Sequence, residues 1–199
     1  MTKNKLIYQL LPHEYGRYKE HLLALDAESR YLRFAFHISD ENLAKYCEDS
    51  FLKHPLEHKI FVIEDSDLNI IAAGHIALTE NETELAFSVL KEHRGNGYGS
   101  DLMEHCVEWC QNRGIKNGFM VCLANNAVIK HLAAKHGIIS TSYGESTASL
   151  KIPDPTPISI WKEMLETRFA NYDHIGKIQM RTFNKLLMLP LTFINPKHI

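Results

Sequence analysis

Apolar and polar positions along the chain follow two periods, and the switches between them mark out the elements. "KLIYQL" (residues 5–10) predicts a strand, and "HEYGRYKEHLLALDAESRYLRF" (13–34) changes to helical spacing, with Tyr18, Leu22, Leu23 and Leu25 on one side. "SDENLAKYCEDSFLKH" (39–54) predicts a second helix, with Ser39 or Asp40 as its N-cap. "KIFVIEDS" (59–66), "NIIAAGHIALTE" (69–80) and "TELAFSVLKE" (83–92) predict three strands of an antiparallel meander, the first two joined by the turn-forming "DSDLN". "SDLMEHCVEWCQNRG" (100–114) is amphipathic, with Leu102, Met103, Cys106, Val107 and Cys110 on one face and Gly114 as its stop. "NGFMVCLA" (117–124) predicts a buried strand, "NNAVIKHLAAKHG" (125–137) a helix, and "IISTSYG" (138–144) with "STASLKI" (146–152) a final hairpin. The order β, helix, helix, β, β, β, helix, β, helix, β, β predicts an α/β (α+β) domain. "PDPTP" (153–157) then breaks the pattern, and the stretch beyond it is mostly helical, with Ile158, Trp161, Leu165 and Phe169 at helical spacing.

Composition narrows the functional classes. The chain has 199 residues, 45% apolar and 23% charged, which suits one globular domain with an appendage. Lys and Arg number 22 against 24 Asp and Glu, a net charge of −2, so no nucleic-acid partner is expected. No segment approaches 18 uninterrupted apolar residues and no secretory leader is evident, so a membrane partner is not expected and the predicted location is cytoplasmic. The four cysteines include no C-x-x-C pair. Cys106 and Cys110, four apart in a helical pattern, are expected in the core, and the scattered histidines predict no metal site. His75, on an apolar strand, is expected to be a hydrogen-bonded core residue.

The candidate chemistry sits in "RGNGYG" (94–99), between a strand and a helix. A helix's first N–H groups have no helical acceptor and lie at the positive end of its dipole; glycines let an anion approach them without a Cβ in the way. The P-loop is excluded because no lysine follows Gly99, and the dinucleotide fingerprint because Gly95, Gly97 and Gly99 are evenly spaced. A glycine-rich connection without a ligand is the remaining alternative.

With that loop the sequence resembles the GNAT superfamily of N-acetyltransferases. "RGNGYG" matches the family's [QR]-x-x-G-x-[GA] signature, and "NNAVIKHLAAKHGI" is similar to its N-x-x-x-x-x-L-x-x-K-x-G-F pattern, with Ile138 in place of phenylalanine. The resemblance spans roughly residues 5–152, and "SRYLRF" and "ELAFSV" resemble the branch containing bacterial protein-lysine acetyltransferases. It implies a GNAT-type three-layer fold over residues 1–153, its mixed central sheet splayed at the CoA site. Residues 154–199 lie beyond that fold; their helical spacing predicts an extension that packs on its own domain or on a second copy as a homodimer. Basic residues Lys177, Arg181 and Lys185 beside Phe183, Leu186 and Leu187 leave a membrane-surface role for the extension as a further alternative.

The resemblance also implies acetyl-CoA as cosubstrate, no metal, and an amine acceptor, a small molecule or a protein. The backbones of Val89 and Leu90 would pair with the pantetheine arm; the amides of Gly95, Asn96, Gly97, Tyr98, Gly99 and Ser100 would hold the pyrophosphate, with a charge-assisted contact from Arg94; Asn126 would bond the cofactor arm, cap a helix, or both. Glu84 matches the family's general base and is otherwise a solvated edge charge. Transfer from a lysine amine to a free glutamate is uphill by about six pKa units, roughly 8 kcal/mol, so the base needs a raised pKa, a desolvated amine or a water relay. Many relatives carry a tyrosine general acid where this chain has Ala133; Tyr143 or His131 are the nearest substitutes. A catalytically silent acyl-CoA-binding sensor or assembly module is thus the alternative to an enzyme. Arg30 and Arg33 are expected either to steer an acidic substrate or to hold the first helices by ion pairs.

Overall fold

The structure, a computed structural model, describes residues 5–79, 83–123, 137–142 and 145–187. Its sheet contains β1 (Tyr8–Gln9), β2 (His58–Glu64), β3 (Ile70–Leu78), β4 (Thr83–Val89), β5 (Asn117–Leu123), β6 (Gly137–Ser142) and β7 (Glu145–Lys151), in the order β1-β2-β3-β4-β5-β7-β6. Every neighbouring pair is antiparallel except β4 and β5, so the sheet is mixed. The helices are α1 (Tyr15–Ala24), α2 (Ala27–Phe34), α3 (Asp40–Cys47), α4 (Tyr98–Asn112) and α5 (Pro157–Leu187). This is the expected α/β architecture of three layers with a C-terminal helix. The helix expected over 125–137 lies almost entirely outside the described residues.

Strand alternation divides the core in two. On β2, Phe61 and Ile63 face α4, whereas Ile60 and Val62 face α1 and α3. The first core joins them to Ile76, Leu85 and Phe87 of the sheet and to Leu102, Met103, Cys106, Val107 and Cys110 of α4. The second packs Tyr15, Tyr18 and Leu22 of α1 against Leu43 and Cys47 of α3 and the neighbouring Phe51. Cys106 and Cys110 are free thiols buried under the sheet.

The helix predicted over 13–34 is two helices. Leu25, buried, is extended, and Asp26 caps α2 by accepting from Ser29 N at 2.7 Å. The apolar spacing runs on through the break, which hides the Asp-x-x-Ser cap that makes it. Ser39 caps α3, which gives way after Cys47 to a wider turn with a non-helical residue at Ser50.

A single helix of 31 residues, α5, lies against α4 and β1. Asn112 Nδ2 donates to Ser159 O at 3.1 Å, and Arg113 Nη1 bonds Glu163 Oε1 at 2.9 Å. Further along, His174 stacks on Tyr8 with ring centroids 3.8 Å apart, and its Nδ1 meets Glu64 Oε2 at 2.8 Å. Glu64 is also ion-paired to Arg17, which bonds Glu14 in turn.

Gly74 sets how closely α4 approaches the sheet. Its neighbours across both ladders are Phe61 and Phe87, and a Cβ built on it stands 2.9 Å from Cys106 Sγ and 3.1 Å from Phe87 Cε1. Gly74→Ala should therefore overpack this core and cost about 1–3 kcal/mol, read as a lower urea midpoint with unchanged slope.

Candidate active site

The site begins where a ladder ends. Strands β4 and β5 pair only at Thr83↔Gly118 and Glu84↔Phe119, although they continue to Val89 and Leu123. Their later halves part and leave a gap inside the sheet. On the other edge of β4, Leu90 N donates to Ile71 O at 3.0 Å, so Ile71 and Leu90 form a hydrogen-bonded pair. The preceding pair, Ala72↔Val89, is then a non-bonded one, and Val89 turns its N–H and C=O toward the gap. The sequence reading grouped Val89 with Leu90. The Leu90 amide is instead committed to β3, and its carbonyl accepts from His93 N at 2.9 Å, so Val89 alone of the two keeps both groups toward the gap.

Directly beyond lies the glycine turn. Gly95 and Gly97 have φ of 79° and 78°, a left-handed conformation that costs other L-residues roughly 1–2 kcal/mol. Gly97 is the N-cap of α4 and brings no side-chain cap, so the N–H groups of Tyr98, Gly99 and Ser100 head the helix without a helical acceptor. Asn96 folds back, donating to His93 O at 3.0 Å, and its own carbonyl accepts from Lys5 Nζ. Lys5 also pairs with Asp101 at 2.8 Å and covers the Tyr98 ring at 4.5 Å, bracing the turn from outside. These groups border a cleft of about 370 Å³ lined by Val89, Arg94, Gly95, Gly97, Tyr98, Gly99 and Ser100 on one side and by Ser29, Leu32 and Arg33 of α2 on the other. Arg94 stands at its lip, with Nη2 donating to Ser29 Oγ and Nη1 3.9 Å from Glu28. Positive charge and amides without a helical acceptor converge, which suits an anionic, phosphate-bearing ligand. Asn126 lies outside the described residues, as do Ala133, His131 and Tyr143.

The two early arginines divide. Arg30 donates to Leu23 O at 2.9 Å and pairs with Asp40, tying α1, α2 and α3 together. Arg33 instead lines the cleft, its guanidinium 4.8 Å from the Phe34 ring and its Nε buried without a hydrogen-bond partner among the described residues. Burial, the largest influence, opposes its charge; Tyr18, Tyr46 and Glu84 nearby outweigh that and raise its pKa. Glu84 sits on the α2-facing side of β4, half-buried, at the last residue of β4 paired with β5.

Two groups escaped the sequence reading. His21 Nδ1 donates to Ile70 O at 2.8 Å, which fixes the tautomer, and Nε2 then accepts from Ser88 Oγ at 2.9 Å. Ser88 lines the cleft, so a buried imidazole aims its hydroxyl. Lys5 was missed because it stands 91 residues from the loop it braces. The core role expected of His75 is observed: it is 3% exposed and its Nε2 meets His58 Nδ1 at 2.9 Å.

The fold is thus a splayed mixed sheet with a glycine turn at the mouth of the splay. The model of the acetyltransferase (GNAT) family matches residues 20–138, and the chain belongs to that family. Many solved structures share its fold, three of them as follows. The GNAT domain of S. lividans PAT superposes with a TM-score of 0.57 at 21% identity, over 73% of this chain and 89% of that one. PaiA N-acetyltransferase from Thermoplasma acidophilum, in complex with coenzyme A, gives 0.54 at 16%, over 73% and 98%. RimL, a ribosomal L7/L12 alpha-N-protein acetyltransferase, also in complex with coenzyme A, gives 0.57 at 14%, over 77% and 97%. Comparison with curated proteins gives no match.

The buried histidines impose a pH dependence. Desolvation lowers the His21 pKa from 6.5 to about 4, and burial also lowers those of His58 and His75. Between 6.5 and 4 the unfolded chain binds the proton that folded His21 refuses, so stability falls as pH drops across that window and levels off below it. This one residue accounts for about 3 kcal/mol. Denaturant titrations from pH 7.5 to 4 should record the loss, and His21→Gln should shrink it.

Proposed function

We propose that the chain transfers an acetyl group from acetyl-CoA to a primary amine, of a small molecule or a protein, by direct attack in a ternary complex. The observation that carries this reading is the parting of β4 and β5 beyond Glu84, with the open backbone of Val89 and the uncapped start of α4 beside it. The turn and the α4 amides would hold the pyrophosphate, each amide-to-anion bond contributing roughly 1.5–3 kcal/mol. The pantetheine arm would enter the gap as a strand does, pairing with Val89. The amine nitrogen then attacks the thioester carbonyl carbon, the C–S bond breaks, and the sulfur leaves as a thiolate. The amine proton passes to Glu84, directly or through a water. A thiol of pKa near 8.5 is a tolerable leaving group without an acid, consistent with Ala133 standing where relatives have tyrosine.

Calorimetric titration with acetyl-CoA tests the binding half. Gly97→Val forces a branched side chain to φ near 78° and should raise the Kd at least tenfold. A thiol-release assay over an amine and peptide panel tests the chemistry. Glu84→Gln should cut turnover by roughly 10²–10⁴ with the acetyl-CoA Kd unchanged. Tight binding with no release on any acceptor would favour the sensor reading instead.

A further inference from the structure

One face of α5 has no packing partner among the described residues. Its inward side is narrow: Ala170 and His174 are its two buried residues, with Glu163 and Lys177 bonded to the body beside them. A second stripe starts at Ile158, Trp161, Leu165 and Phe169 and returns every three or four residues to the same face down the whole helix, about 46 Å. These side chains are 81%, 63%, 48% and 61% exposed. With Tyr172 and the apolar residues of the C-terminal half, and at 150–250 Å² per aromatic side chain, the stripe exposes about 1,000 Å². A monomer rarely leaves a contiguous apolar patch above about 600 Å², and a stable interface needs about 800 Å² from each partner.

We infer that this stripe is the interface of an antiparallel homodimer, α5 against α5 of a second copy. The stripe reads with the same three-four spacing from either end, so a twofold axis beside Tyr172 lays it on itself. Ile158 then meets Leu187 of the other copy, Leu165 meets Met180, and Phe169 meets Gly176. That last pairing accounts for a glycine that nothing among the described residues explains. Gly176 sits mid-helix, where it costs about 1 kcal/mol relative to alanine, and a Cβ built on it meets nothing within 4 Å. A notch opposite a large aromatic ring is what two closely crossing helices need. Two of the cations near the stripe are already paired, Lys162 with Glu108 and Lys177 with Asp173 at 2.7 Å; Arg181 and Lys185 are exposed, and the vesicle measurement below tests the lipid alternative that they raise. Among the described residues no helix is long and apolar enough to cross a membrane.

Sedimentation velocity of the full chain at 1–50 μM should give a species of twice 22.9 kDa. Phe169→Glu should return a monomer with an unchanged circular-dichroism spectrum. Gly176→Leu should weaken dimerisation tenfold or more although it favours the helix. Under mild oxidation Tyr172→Cys should cross-link between chains, and Asn171→Cys, one residue back on another face, should not. A monomer at 50 μM, a dimer indifferent to Phe169→Glu and Gly176→Leu, or a monomer that sediments with phosphatidylcholine–phosphatidylserine vesicles would each overturn the inference.

Discussion

Two strands that stop pairing halfway govern this molecule. An internal edge in a sheet normally collapses, because each buried N–H or C=O left unpaired costs about 1–3 kcal/mol. Here the gap is held open from outside: β4 is laddered to β3 along its whole length, and β5 is laddered to β7 from Asn117 to Leu123. The two ladders fix the strands independently, so neither can close on the other without breaking its own pairing. The helix that follows β4 is delivered to the mouth of the gap by the same geometry, so backbone donors and a strand-like slot arise together.

The side chains around the gap are tuned by burial more than by charge. Three histidines on the α1–α3 side of the sheet are held neutral, and one of them positions Ser88 through a fixed tautomer. Arg33, in the same layer, keeps its charge as a guanidinium does at any ordinary pH, with Glu84 as a nearby counter-charge. The cleft thus presents one cation near the carboxylate and others, with the helix start, at the turn. That polarity suits an anionic ligand whose charge lies at the turn.

Legibility in the sequence followed the range of the interaction that decides each feature. The glycine turn, α4 and the meander are local patterns, and all three are where the residues put them. The break at Leu25 was hidden because an apolar residue continued the period while a cap three residues long overrode it. Val89 and Leu90 are indistinguishable as letters; which one opens to the gap depends on the phase of the β3–β4 ladder, a property of two strands. Arg30 and Arg33 differ only in what the fold brings near them. Lys5 and His21 carried no signal at all, since their partners lie 91 and 67 residues away.

The polar cluster under α5 gives the proline-rich segment a different meaning from that of a simple hinge. Glu64 has 2% of its side chain exposed, and His174 closes over it from the far end of the chain. A fragment ending at the prolines would bare this carboxylate and the Tyr8 ring together, at the β1 edge of the sheet, away from the gap between β4 and β5. The appendage is therefore part of the wall, and shortened versions of the protein would report on a breached β1–β2 edge as much as on the cleft.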